Sequence, residues 1–462
     1  EEFSLATFNL ENLYDFRDDP FDGCDFTGNP GCAGVNPPFD YVPSSEAAYQ
    51  ARLNEIAQQI VADLHSPDII LVQEAEDQDI CTVAEWVLTC GTADNADGKP
   101  DTLQELATVI HSLGGLPYDA AYDRDGADDR GIVAAYLFRA DRVELLPALA
   151  DDPVLGSAPM VNYRGAPLLY NIDVQNPKAL NAELPVDVDL STGVDGTNVF
   201  TRAPQVGFFR VWRNGIEASV FTDLYILDNH FSSTPNVRVG QRTEQAAYNA
   251  AIVAALQEAD PEVRVVVGGD LNVYPRLDDP FTPGHPLFPS DQLAPLYNQG
   301  LVNLFDILLM EVPTSAYGYI FQGQTQTLDQ IFVTPSMLTD LVQVRVAHIN
   351  SDFPAEYAGD GPRGTSDHDP LVAQFIGLPT LDKMEDLVMF FTDRGDITGN
   401  NTTKILLNRL ARARRFFESG QMDAYRGQLQ AFIDQVQDFT PQFITPFAGQ
   451  TLSEEMLLRL SL

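Results

Sequence analysis

The chain has 462 residues, with 67 acidic side chains against 27 basic ones and a formal net charge of −40 at pH 7. Ordinary hydrophobic content (44%) allows a sizeable core, while the acid excess argues against binding polyanions through diffuse positive charge. No apolar run approaches the roughly 20 residues that span a bilayer.

The first residues, Phe3-Ser4-Leu5-Ala6-Thr7-Phe8, alternate as a strand. Neither an initiator Met nor a signal peptide precedes them, which reads as a processed mature chain or a trimmed one. Tyr49, Leu53, Ile56, Ile60 and Leu64 recur at three- and four-residue spacing, predicting a helix over 44–64. Asp68–Glu74 follows as a short apolar strand that ends in a carboxylate. A helix is expected over 102–113 and a buried strand over 131–139. The stretch 151–201, rich in Pro, Asn, Asp and Gly, reads as a long ordered insertion. Strand patterns resume at 205–213 and 218–229, a helix is expected over 238–258, and the β-branched run 262–267 ends in Gly-Gly-Asp. A Pro-rich loop covers 278–289, and short strands are expected at 328–333 and 371–376. Strands alternating with amphipathic helices predict an α/β fold. After Gly377-Leu378-Pro379 the character changes to helices at 381–391, 402–417, 423–436 and 452–460. One face carries Leu406, Leu410, Ala413 and Phe417. Two domains follow, 1–377 and a small all-α domain at 378–462, the latter close to charge-neutral.

The four cysteines form two close pairs, Cys24/Cys32 and Cys81/Cys90, without a C-x-x-C spacing. Local pairing is the simplest of the three connectivities, and two structural disulfides point to an exported protein.

Six short polar elements end apolar runs: F-N-L-E-N (8–12), Q-E-A-E (73–76), D-N-H-F-S-S (228–233), G-G-D-L-N-V (268–273), T-L-D-Q-I-F-V (327–333) and S-D-H-D-P (366–370). Singly, each has a structural explanation as a cap, a turn or a surface acid. Together they supply what water attack on a phosphodiester requires. Hard cations take carboxylate and amide oxygens, and Asn9, Glu74 and Asp367 offer them. Asp270 and Asn272, two residues apart, can address one water. His230 and His368 can face phosphate oxygens, with Asp329 fixing the tautomer of His368. Asp369 reads as a turn residue beside Pro370.

The set resembles the endonuclease/exonuclease/phosphatase superfamily over roughly 3–377. That resemblance implies a four-layered α/β sandwich, two packed mixed β-sheets flanked by helices, with metal-dependent cleavage at one end. It implies Mg²⁺ or Mn²⁺ held by Asn9, Glu74 and Asp367, and phosphate contacts from His230 and His368. It further implies nucleophile handling by Asp270 with Asn272, and support of His368 by Asp329. The stretch F-T-R-A-P (200–204) is similar to one in pancreatic-type deoxyribonucleases, implying a phosphate-facing Arg202, with Asn229 as a second contact. One departure is that Ile132 falls near the place where those enzymes carry a Glu partner for the first catalytic His.

The N-terminal elements and the acidic segment 91–101 resemble the secreted bacterial branch. A structural Ca²⁺ there is an open expectation, although an EF-hand register fails at Ala93 and Gln104. Asp123, Asp125, Asp128 and Asp129 read as a solvated loop. The C-terminal helices resemble a FIMAH-type module, which leaves cell-surface or matrix contact through Arg409, Arg412, Arg414 and Arg415 open against a solvated helix face. The expected function is a secreted phosphoesterase, first an extracellular nuclease acting on DNA and also on RNA. The alternatives are a phosphatase or phosphodiesterase on small or lipid phosphate esters (sphingomyelinase-like), and a non-catalytic adhesive protein.

Overall fold

A computed structural model describes residues 3–17, 42–168 except 92, 94, 95 and 129, 172–185, 188, 197–213, 215–216, 221–234, 237–274, 292–376 except 356, 358 and 360, and 381–460 except 400. Cys24, Cys32, Asp129 and the Pro-rich loop 278–289 lie outside the described residues. The chain separates into two compact units, with the break between Phe375 and Ile376.

The larger unit holds two mixed sheets. The six-stranded one runs in the order Leu341–Val346, Leu371–Phe375, Phe3–Leu13, Ile69–Glu76, Ile132–Arg139 and Tyr118–Ala121. The seven-stranded one centres on Gln205–Trp212, Phe221–His230, Val265–Asp270 and Asp329–Val333. Leu5, Leu71, Tyr136, Phe209, Ile226 and Ile331 interdigitate between the sheets. Their strand neighbours Ala6, Phe8, Ile70 and Val72 point outward, under Leu53 and Ile56 of helix Glu46–Gln58 and Leu103 and Leu106 of helix Asp101–Ser112. On the other side Val265, Val267 and Phe332 are covered by helix Val239–Ala259 through Ile252, Val253 and Leu256. The result is a four-layered sandwich. The first strand is therefore buried on both faces along its apolar run, and its apparent alternation separates two cores rather than core from water. Each fully buried Leu or Phe adds roughly 1.5–3 kcal/mol.

Buried polar contacts tie the sheets together. Gln73 Nε2 donates to Asp228 Oδ1 at 2.6 Å, and the Tyr136 hydroxyl donates to Ile226 O, also at 2.6 Å. The Gly-Gly-Asp sequence has a packing cause. Gly269 sits at φ +120°, and a Cβ there would lie 2.1 Å from Asn229 O on the adjacent strand.

Some elements differ from expectation. The strand expected to stop at Val267 continues through Asp270, because only glycines allow so close an approach. Helix 44–64 is a regular α-helix only to Gln58, after which Gln59–Asp63 widens to one wider turn. The expected Cys81–Cys90 disulfide is present; the hairpin it joins, Cys81–Ala84 with Val87–Cys90, was not expected, nor were strands Tyr118–Ala121 and Leu341–Val346 or helix Leu304–Glu311. Their apolar runs are too short to show a period. Two acids, Asp79 ahead of the segment 91–101 and Asp101 at its end, hold its described residues in place. Asp79 accepts the N–H groups of Asp97 and Gly98, and Asp101 those of Ile80 and Cys81.

The smaller unit is four helices, Leu381–Asp393, Thr402–Glu418, Met422–Phe439 and Pro446–Leu460. Val388, Leu406, Leu410, Leu429, Phe432 and Leu452 lie in its core. Phe417, expected on the buried face, is half exposed. It lies in the last turn of its helix, where its ring meets Tyr425 at 5.2 Å on one side only. Arg412 and Arg415 are exposed, and Arg414 pairs with Glu385 at 3.0 Å. Among the described residues no helix is long and apolar enough to cross a membrane.

Candidate active site

At one end of the sandwich a cavity of about 350 Å³ opens where strands of both sheets finish. The six-stranded sheet delivers Glu74 and the segment carrying Asp367 and His368, and the seven-stranded sheet delivers His230, Asp270 and Asn272. Parallel register sets His230 beside Asp270. Glu74 takes φ 62° at an irregularity between Val72 and Ala75, which turns its side chain to the cavity. A second irregularity after Asn9 puts Glu11 and Asn12 at φ 51° and 53°. Arg52 holds that bend by donating to the carbonyls of Leu10 (2.6 Å) and Glu11 (2.7 Å). The bend aims backbone N–H groups at function: Glu11 N donates to Asn9 Oδ1 and Asn12 N to Glu74 Oε2, both at 2.9 Å.

Asp270 Oδ2 is the hub. His230 Nε2 lies 3.6 Å from it, His368 Nε2 3.9 Å, and Asn9 Nδ2 3.2 Å. Behind His368, Asp329 Oδ2 is 2.6 Å from Nδ1, the support expected from the sequence. Ser366 donates from Oγ to Asn9 O and accepts from His368 N, pinning this segment to the first strand. Asp369 points away and accepts the N–H groups of Ile349, Asn350 and Ser351, a turn role.

The two histidines are driven apart in charge. Burial opposes protonation of His368, but Asp329, Asp270 and Asp367 outweigh it and hold its pKa well above the usual imidazole value. Burial, with Arg202, Arg130 and His368 adding to it, pushes His230 well below that value. His230 Nδ1 is buried and has no hydrogen-bond partner among the described residues, in keeping with the apolar Ile132. Burial raises Asp270, with His368 opposing. It also raises Glu74, with Arg202 and Arg130 opposing.

Three expectations need correction. Asn229 faces away from the cavity. It donates to Leu227 O and accepts from Asn249, because strand alternation puts Asp228 and His230 on one face and Asn229 on the other. Asp123 and Asp128 are not a solvated loop. Asp123 is buried and accepts the N–H groups of Asp125 and Ala179. Asp128 bridges Arg202 and Arg130, each at 3.1 Å. Arg202 is therefore buried and ion-paired beside the cavity, outside its lining.

Sequence reasoning missed Arg130, whose only signal is its place in D-D-R-G ahead of a strand. It also missed Tyr319, which bonds Asp367 through its hydroxyl and lays its ring 4.7 Å from that of His368.

The donor chemistry fits a hard divalent ion. Glu74 and Asp367 bring carboxylates, Asn9 an amide, and burial makes the Glu74 charge costly without a cation. Among the described residues no three His, Cys, Asp or Glu side chains converge into a complete cage. An ion here would thus draw on Asn9, water and substrate oxygens, as Mg²⁺ commonly does. Asn9 turns Nδ2 towards Glu74, so ligation through Oδ1 requires a rotation that gives up the Glu11 bond.

Asn9, Glu74, His230, Asp270, Asn272, Asp329 and His368 come together from six separated segments at one end of the sandwich. This chain resembles the endonuclease/exonuclease/phosphatase superfamily. Solved structures with a similar fold include a protein of the endonuclease/exonuclease/phosphatase family from Bacteroides thetaiotaomicron, with 16% identity over 82% of this chain and 96% of that one and a TM-score of 0.43. TDP2 from C. elegans has 15% identity over 81% and 75%, with a TM-score of 0.39. The human Nocturnin catalytic domain has 13% over 81% and 94%, with 0.38. Such low scores leave the functional argument to the residues themselves. Residues 381–457 of the smaller unit match the FIMAH domain family. No curated protein matches the chain at a significant level.

Proposed function

We propose that the protein is an exported, divalent-metal-dependent phosphoesterase that hydrolyses phosphodiesters by direct water attack, with nucleic acid, DNA first and RNA second, as its substrate. The observation that carries this reading is Asp270 Oδ2 placed between His230, His368 and Asn9, with Asp329 behind His368.

Asn9, Glu74 and Asp367 would hold Mg²⁺ or Mn²⁺, which when bound draws charge from the phosphate oxygens. Asp270 takes the proton of the attacking water, its raised pKa suiting it to a base working near neutrality. Asn272, whose N–H is fixed on Asp270 Oδ1 at 2.9 Å, orients that water. His368, kept cationic by three acids, stabilises charge developing on the phosphate. His230 is neutral, so it donates a hydrogen bond rather than a proton. Arg202 and Arg130 contribute positive charge beside the phosphate while Asp128 fixes their orientation. The Cys81–Cys90 bond supports an oxidising compartment.

The net charge of −40 favours a second reading, a small or lipid phosphate ester that needs no extended cationic track. Plasmid DNA, bis-p-nitrophenyl phosphate and p-nitrophenyl phosphate, each with Mg²⁺, Mn²⁺ or EDTA, separate these readings. Metal-dependent plasmid cleavage that is lost in His368→Ala and Asp270→Ala is expected. Intact plasmid with a hydrolysed small ester selects the second reading, and no turnover of any of them selects a non-catalytic protein.

A further inference from the structure

One wall of the cavity is a hairpin, Tyr319–Phe321 paired with Gln324–Gln326. Its turn, Gln322-Gly323, takes φ 51° and 78°, the left-handed pair that closes a tight two-residue hairpin. A bridge between Tyr319 and His368 anchors its base to the catalytic segment. The register opposes Tyr319 to Gln326 and Phe321 to Gln324, so two aromatic rings and two carboxamides share one face, with Ile320 and Thr325 on the other. Tyr319, Phe321 and Gln326 line the cavity, and Phe321 is 50% exposed, an unusual place for a large apolar ring. In a chain with this acid excess, 312–328 holds no charged residue at all. The hairpin therefore brings no carboxylate of its own to an anionic substrate, and Asp367 is engaged by Tyr319 at its base.

We propose that this hairpin is a stacking platform for an unpaired nucleobase next to the scissile phosphate, and that single-stranded nucleic acid is the preferred substrate. The inference rests on the nuclease reading above and narrows it. Aromatic faces accept any base, while carboxamides offer a donor and an acceptor to base edges. A paired, stacked base presents its face to neither ring. Positive charge is the usual source of duplex affinity, and among the described residues no Lys or Arg lies on the cavity lining. Stacking on a neutral wall supplies affinity without it.

The test compares one fluorescently labelled DNA oligonucleotide, single-stranded and annealed to its complement, in wild type, Phe321→Ala and Phe321→Trp, with bis-p-nitrophenyl phosphate alongside. Wild type should cleave the single strand with the higher kcat/KM. Phe321→Ala should raise KM for the single strand about tenfold, the scale of one lost base stack, with a smaller effect on kcat, and Phe321→Trp should restore KM. Thermal unfolding checks that the exposed substitution leaves the fold intact. Equal cleavage of both forms, with KM unmoved in Phe321→Ala, overturns the platform and leaves the nuclease reading standing. Hydrolysis of bis-p-nitrophenyl phosphate with neither oligonucleotide cut overturns the nuclease reading itself.

Discussion

Gly269→Ala is a single methyl group placed where the two halves of the seven-stranded sheet's catalytic end meet. The added Cβ would sit 2.1 Å from Asn229 O and 2.9 Å from Asn229 N, and the backbone holds φ +120°. Relief to an ordinary contact needs about 1 Å of separation between the strands that carry His230 and Asp270. Backbone strain of about 1–3 kcal/mol and overpacking of similar size together give about 4 kcal/mol of destabilisation. At roughly 2 °C per kcal/mol for a domain above 150 residues, Tm should fall by about 8 °C. The same displacement should cost about 100-fold in kcat, since misplacement by 1 Å is felt on that scale. Calorimetry and steady-state kinetics on the plasmid or small-ester substrate, run well below the lowered Tm, read the two effects separately. A variant with Tm within 1 °C of wild type and normal kcat would refute the close-approach account of Gly-Gly-Asp.

Asp329→Asn should lower kcat by about 10²–10⁴-fold with little loss of fold, and combining it with His368→Ala should add nothing further, because the pair acts as a unit; additive losses would separate them. Asn229→Ala should destabilise by about 1–3 kcal/mol, through its unpaired Asn249 partner, while leaving KM unchanged; a raised KM would restore the phosphate role denied to it above. Asp101 gives the pH dependence. Burial raises its carboxyl to about 7, against the N–H groups of Ile80 and Cys81. The folded state therefore holds a proton that the unfolded chain releases near pH 4. The group's stabilising share is full below that value and lost as pH rises through about 7. Urea unfolding in EDTA should show stability falling from pH 5 to 8, with a shallower fall in Asp101→Asn. An equal slope in the variant would remove Asp101 as the cause.

Long elements and the polar ends of strands were legible in the chain. Helix Val239–Ala259 and strand Ile132–Arg139 have enough residues to show a period, and His368 with Asp329 could be paired because both lie in short polar elements closing apolar runs. The arginine pair was not legible. Asp128 and Arg130 sit in a run of acids that looks solvated until Arg202, 74 residues away from Asp128, folds against it. Asn229 was misread for the opposite reason. Adjacency to His230 suggested a shared role, whereas the pleat turns neighbours to opposite faces. Tyr319 carries no signal of its own, since the short apolar run Tyr319-Ile320-Phe321 reads as core.

The bond from Gln73 to Asp228 carries a consequence for how the protein loses activity. Each sheet brings only half of the site, Glu74 with His368 from one and His230 with Asp270 from the other. Gln73 is the residue before Glu74, and Asp228 stands two before His230, so this buried link, together with the Tyr136 and Asn9 bonds across the sheets, fixes the offset between the halves. Sliding of one sheet over the other would separate Asp270 from Glu74 while every strand stayed paired within its own sheet. Function therefore depends on shear stiffness between layers rather than on the persistence of secondary structure, and heating should silence the enzyme before it unfolds it.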